Sequence, residues 1–154
     1  MTPAQPVQTL APVRKSVVVR RTPDEAFAIF TERLASWWPL HQYSIFQAES
    51  AACVLEARVG GKLYETSRSG ERRDWGTVLT WDPPHRFVTT WHPGQDPAKP
   101  MEVEVRFTAV PEGTRVELEH RNWEQLGAKA AEAREDYDQG WNEVIGRYAS
   151  EGCA

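Results

Sequence analysis

Only two cysteines occur in this chain of 154 residues, and they stand far apart at Cys53 and Cys153. Neither a CxxC metal knuckle nor a disulfide framework can be built from them. The four histidines, His41, His85, His92 and His120, show no ligand spacing on a shared element. No metal and no cofactor is therefore expected. No apolar run approaches the length that crosses a bilayer, and Met1 to Pro12 lack the apolar centre of a signal peptide. The formal charge of −4 is not the basic excess of a phosphate binder, and the basic clusters Arg14-Lys15, Arg20-Arg21 and Arg72-Arg73 are short. Glycine-rich phosphate loops, a nucleophile elbow and a Ser/His/Asp arrangement are all missing. The expectation is a chain in a reducing cytoplasm, with neither nucleic acid nor membrane insertion among its partners.

What the chain has instead is tryptophan, seven in all, three of them at Trp75, Trp81 and Trp91. The runs Asp74–Trp81 and Arg86–Trp91 are rich in β-branched and aromatic residues and flank an Asp82-Pro83-Pro84-His85 joint. Paired prolines cannot sit in a central strand, so this region reads as a hairpin. Indoles are rigid and carry one polar handle, which suits both a core and an aromatic-lined cavity.

Val13 to Arg21 reads as a first strand, with Val17 and Val19 on one face and Val18 on the other. Thr22-Pro23-Asp24-Glu25 opens a helix, Thr22 capping and Glu25 standing at capping-box spacing, and Phe27, Phe30 and Leu34 supply its apolar stripe. Trp37-Trp38-Pro39 ends that segment. From Ala51 the pattern has period two, through Cys53–Val59, Lys62–Ser67, the proline-joined hairpin, Met101–Val110 and Arg115–Arg121. Asn122 and Gln125 have capping-box spacing for a short turn closed by Gly127. Ala131, Tyr137, Trp141, Val144, Ile145 and Tyr148 then form the stripe of a long last helix. Gly140 inside it costs about 1 kcal/mol relative to alanine, so close packing is expected there. Residues 1–12, with three prolines, read as a flexible tail, and 13–154 as one domain.

The order of elements resembles the helix-grip, START-like superfamily of polyketide cyclases and lipid carriers. More closely, it is similar to bacterial homologues of the C-terminal domain of the heat-shock protein 90 ATPase activator. Thr22–Phe27, Trp37-Trp38-Pro39, Val59–Glu65, Trp75–Val78, Asp82–Phe87, Thr90-Trp91, Gly113–His120 and Gly140-Trp141 carry the resemblance. Many members have glutamate where this chain has Thr80. The resemblance implies an α+β fold, a curved antiparallel sheet of about six to seven strands wrapped around a long C-terminal α-helix, with a cavity between the two. It does not imply one reaction.

Trp38, Trp91, Phe107, His120, Tyr137 and Trp141 are the expected ligand contacts, and no catalytic residue is assigned. His120 shares phase with Val116 and Leu118, and acts either as a polar anchor for a ligand or Tyr137, or as a general base. The pair Trp37-Trp38 either gates the cavity or staples the helices. Glu102, Glu104, Glu117 and Glu119 oppose the apolar phase and are expected on a solvated convex face, laddered with Arg106 and Arg115. Binding of a small apolar or aromatic molecule is the favoured function, and the chain is not expected to be an enzyme. A chaperone partner of the heat-shock ATPase activator type and a cyclase- or hydratase-like activity are the alternatives. A homodimer is left open.

Overall fold

The computed structural model describes residues 10–154. The expected tail falls outside the described residues up to position 9. Leu10 packs on the core, and Arg134 donates to the carbonyls of Ala11 and Pro12 at 2.5 and 3.2 Å.

Strand β1 (Val13–Val19) leads into α1 (Pro23–Thr31) and the short α2 (Leu34–Trp37). Six strands follow: β2 (Ser50–Leu55), β3 (Lys62–Ser67), β4 (Arg72–Asp82), β5 (Arg86–Trp91), β6 (Met101–Val110) and β7 (Gly113–Arg121). The helix α3 (Ala130–Arg147) continues in a wider turn through Tyr148–Gly152. All seven strands form one antiparallel sheet in the order β1-β7-β6-β5-β4-β3-β2. Register shifts at Ser50/Ala52, Leu63/Tyr64 and Val78/Thr80 bend it, as bulges do. The curved sheet closes on α3, which is the helix-grip arrangement implied by the resemblance.

Local chemistry explains the elements. Thr22 Oγ1 accepts from the Glu25 amide at 3.3 Å, and Pro23 fills the first turn of α1. The prolines at the β4–β5 joint sit in the turn, outside the ladder. Gly76 is required where β4 crosses β5: a Cβ there would lie 1.8 Å from the Thr90 carbonyl oxygen.

The concave face has two halves. At one end Phe27 and Phe30 of α1 meet Phe87 and Phe107, with ring centroids 5.1–5.9 Å apart, and Tyr148 donates to the Ala26 carbonyl at 2.8 Å. Trp81 joins this end against Phe27. The other half belongs to tryptophan and is described below.

Four expectations need correction. The stripe of α3 begins at Ala130, which is buried, while Ala131 faces solvent. Asn122 does not cap; its backbone is left-handed at φ 70°, and its side chain makes no cap hydrogen bond. Glu104 is not a solvated residue of the convex face but only 3% exposed. It lies beneath Arg106, Arg121 and Arg86, whose nitrogens approach to 2.6, 2.6 and 3.0 Å. Burial alone would raise its pKa, but the hydrogen bonds from Arg106, Arg121 and Arg86 outweigh it and hold the value at about 2. Arg86 and Arg121 thus take the place in the ladder expected of Arg115, which makes no ion pair among the described residues.

Candidate functional site

A cavity of about 350 Å³ lies between the sheet and α3. Trp75 of β4 and Trp91 of β5 enter from the sheet, and Tyr137, Gly140, Trp141 and Val144 from the helix. Trp38 and the loop residues Gln42, Tyr43, Ser44 and Ile45 cover one side, with Pro93 and Gly94 at the rim. No lining side chain is ionisable to a charged form near neutral pH. Such a wall suits a neutral, largely apolar guest.

The indoles of Trp38, Trp75, Trp91 and Trp141 form one contiguous cluster, with centroids 5.2–6.0 Å apart. Each indole N–H is already used by the protein. Trp38 donates to the Tyr43 carbonyl at 2.8 Å, Trp75 to Glu65 Oε1 at 2.7 Å, Trp141 to His120 Nδ1 at 2.9 Å and Trp91 to the Tyr137 hydroxyl at 3.3 Å. These bonds fix the ring orientations, so the aromatic surface is preorganised.

Of the six residues singled out from the sequence, Trp38, Trp91, Tyr137 and Trp141 line this cavity. Phe107 does not, because α1 docks over it and draws it into the phenylalanine half. His120 is likewise outside the lining, fully buried behind Trp141. Its Nδ1 accepts from Trp141, which leaves the proton on Nε2, 3.3 Å from Met101 Sδ. Its ring lies 4.1 Å from that of Trp123. Burial pulls its pKa down to about 3, so it stays neutral. His120 anchors Trp141, not Tyr137. The tryptophan pair divides its work: Trp37, fully buried, donates to the Ile29 carbonyl at 3.0 Å, and Trp38 walls the cavity.

Two groups escaped the sequence reading. Glu65 is fully buried, yet no cation pairs with it among the described residues. Four donors converge on its carboxylate instead: the amides of Ile45 (2.5 Å) and Phe46 (3.3 Å), Ser50 Oγ (2.8 Å) and Trp75 Nε1 (2.7 Å). The signal was its phase, shared with Leu63 and Ser67 on the inward face of β3. The second is the loop 39–46, which carries no periodicity. Its Tyr43 lies over Gly140, where a Cβ would come within 3.1 Å of the ring, and donates to Glu143 Oε2 at 2.8 Å. The close packing expected at Gly140 is thus against a phenol. That hydrogen bond, then burial, raises the Tyr43 pKa and keeps the hydroxyl protonated.

A family model described as "Activator of Hsp90 ATPase homolog 1-like protein" matches residues 20–150. The solved structure of an anthrahydroquino-gamma-pyrone synthase, Txn09, complexed with SUM, is 35% identical and superposes with a TM-score of 0.64, covering 94% of this chain and 98% of that one. The protein BH1534 from Bacillus halodurans is 20% identical with a TM-score of 0.68, over 95% of this chain and 99% of its own. CalU16 from Micromonospora echinospora is 20% identical with a TM-score of 0.60, over 92% and 73%. At that identity the last two attest the fold alone. No curated protein matches the chain. No helix among the described residues is long and apolar enough to cross a membrane.

Proposed function

The chain belongs to the family of activator of Hsp90 ATPase homolog 1-like proteins, and from that premise and the cavity's geometry we propose that it binds a small, largely aromatic molecule between the sheet and α3. Trp38, Trp91, Tyr137 and Trp141, joined by Trp75, would be the contacts, with His120 supporting Trp141 from behind. One observation carries this reading: a space of about 350 Å³ lies between the sheet and α3, edged by four buried indoles whose N–H groups are all engaged by the protein. The alternative of a chaperone partner would want a charged or a contiguous apolar outer surface, and the acidic first half of α3 is an ordinary solvated face. The exposed large apolar residues among those described are four, Val18, Val54, Val59 and Leu79, and Val18 on β1 stands at the opposite edge of the sheet from β2.

A thermal-shift screen of fused-ring aromatics tests the reading. At about one hundred times its dissociation constant, a bound compound should add about 2.7 kcal/mol, a rise of roughly 5–10 °C in Tm. A panel without any rise would overturn it.

A catalytic reading is favoured by one finding, the similarity to a protein named as a synthase. His120 and Glu65 are not placed to meet a substrate: Trp141 occupies Nδ1 of the first, four donors occupy the carboxylate of the second, and neither lines the cavity. Acid–base work would fall to Tyr43 and Glu143 at the rim. Product formation lost in Tyr43→Phe, with binding retained, would mark that role.

A further inference from the structure

An indole N–H can only donate, so the direction of the four tryptophan hydrogen bonds is fixed without knowing any proton's position. Three of them end on groups outside the cavity lining or on backbone: His120 Nδ1, Glu65 Oε1 and the Tyr43 carbonyl. The fourth, from Trp91, ends on the Tyr137 hydroxyl, a lining residue. That hydroxyl therefore acts as acceptor toward the protein, and its own proton finds no acceptor among the described residues. The other lining hydroxyls have spent theirs, Tyr43 on Glu143 and Ser44 on the Leu40 carbonyl. Tyr137 is also held in place: its ring meets His120 edge-on at 4.8 Å and Trp123 at 5.6 Å. Burial raises its pKa, so the proton stays on the phenol.

We propose that the cavity selects a planar aromatic ligand bearing a neutral carbonyl oxygen, and that the Tyr137 hydroxyl is the donor that recognises this oxygen. The inference rests on the aromatic-binding reading and adds a specificity determinant to it. A carboxylate is disfavoured at the same place. No cation among the described residues lines the cavity, and the two acids bonded to its lining residues, Glu65 and Glu143, carry the wrong sign. A hydrocarbon would fit the indole wall but take the half-buried Tyr137 hydroxyl out of water without offering its proton a partner, which costs affinity. The indoles thus favour a flat apolar body and the Tyr137 hydroxyl one acceptor on it, while the lining amide of Gln42 is exposed.

The matched pair fluorene and 9-fluorenone, alike in shape and differing by one carbonyl, tests this on the wild-type chain and on Tyr137→Phe. Affinities come from quenching of tryptophan emission, with fluorene-9-carboxylate as the charged probe. Tyr137→Phe should weaken 9-fluorenone about 5- to 10-fold, as loss of one hydrogen bond does, and fluorene less than about 2-fold. The carbonyl stretch of bound 9-fluorenone should lie at lower frequency in the wild type and return upward in the variant. Any general loosening of Trp91 in the variant would weaken both compounds equally, and that result would overturn the role of Tyr137 while leaving aromatic binding intact. Tighter binding of the carboxylate than of the ketone would overturn the selectivity. Failure of both neutral compounds to bind the wild type would sink the underlying reading together with the inference.

Discussion

Replacing Glu65 by alanine would strip the common acceptor from four donors at once: the Ile45 and Phe46 amides, the Ser50 hydroxyl and the Trp75 indole. The two amides lie on a half-buried loop and can turn to water as it lifts. Trp75 is 1% exposed and Ser50 3%, so neither can do so without opening the sheet edge. A buried donor left unpaired costs about 1–3 kcal/mol, so two give a loss of about 2–6 kcal/mol, reduced if the Glu65-sized space admits water. Glu65→Gln keeps the volume but turns one acceptor into a donor, and should cost about 1–3 kcal/mol. Urea denaturation measures both losses. Amide exchange at Ile45 and Phe46 measures the loop directly and should speed up in each variant. A Glu65→Ala protein within about 0.5 kcal/mol of wild type, with unchanged protection at Ile45 and Phe46, would refute the claim that this carboxylate holds the cavity's covering loop.

Other consequences are simpler to state. His120 has its folded pKa lowered to about 3 from 6.5, so the unfolded chain takes up a proton that the folded one refuses. Its contribution is complete above about pH 6.5 and is lost as pH falls toward 3, with a slope of at most about 1.4 kcal/mol per unit. Glu104, with an ordinary value of 4.5, loses its stabilising part only below that pH, so His120→Gln should flatten the stability curve between about pH 5 and 6.5. An unchanged slope would contradict the neutral, buried imidazole. Burial, and then the charge of Glu65, push the Cys53 thiol up to about 12. Iodoacetamide at pH 8 should leave it unmodified until the chain unfolds, and rapid native labelling would be the contrary result. Thr89 Oγ1 is buried without a hydrogen-bond partner, so Thr89→Val should be neutral or stabilise by about 1 kcal/mol in urea. A clear destabilisation would mean that the hydroxyl is engaged.

Periodicity carried the fold a long way. The alternation of Val103, Val105 and Phe107, and of Val116, Leu118 and His120, set the faces of β6 and β7 correctly, and the Thr22–Glu25 signal marked the start of α1. What periodicity cannot carry is position along a face. Phe107 and Trp91 both point to the concave side, but which end of the sheet α1 covers depends on docking between distant segments. Glu104 shows the same limit on the convex side, since its three arginines come from β5, β6 and β7. Glu65 was visible as an acid in apolar phase, yet its donors stand 10 to 20 residues away in sequence. The loop of Gln42 to Ile45 is held by hydrogen bonds to Trp38, Glu65 and Glu143, far from it in sequence or off any periodic face, and has no repeat to read. Tryptophans were the most informative residues and also the most ambiguous: Trp37 and Trp38 are neighbours in sequence and do different jobs.

The indole N–H resonances offer the most direct test of the central claim. Each of the seven tryptophans contributes one such signal, and assignment by single substitution is straightforward. On titration with 9-fluorenone, the largest shifts should fall on Trp38, Trp75, Trp91 and Trp141, which line the cavity. Trp81, packed against Phe27 and Phe87 at the other end of the sheet, should move least. Shifts greatest at Trp81, or none at any indole under saturating 9-fluorenone, would contradict an aromatic-binding cavity between the sheet and α3.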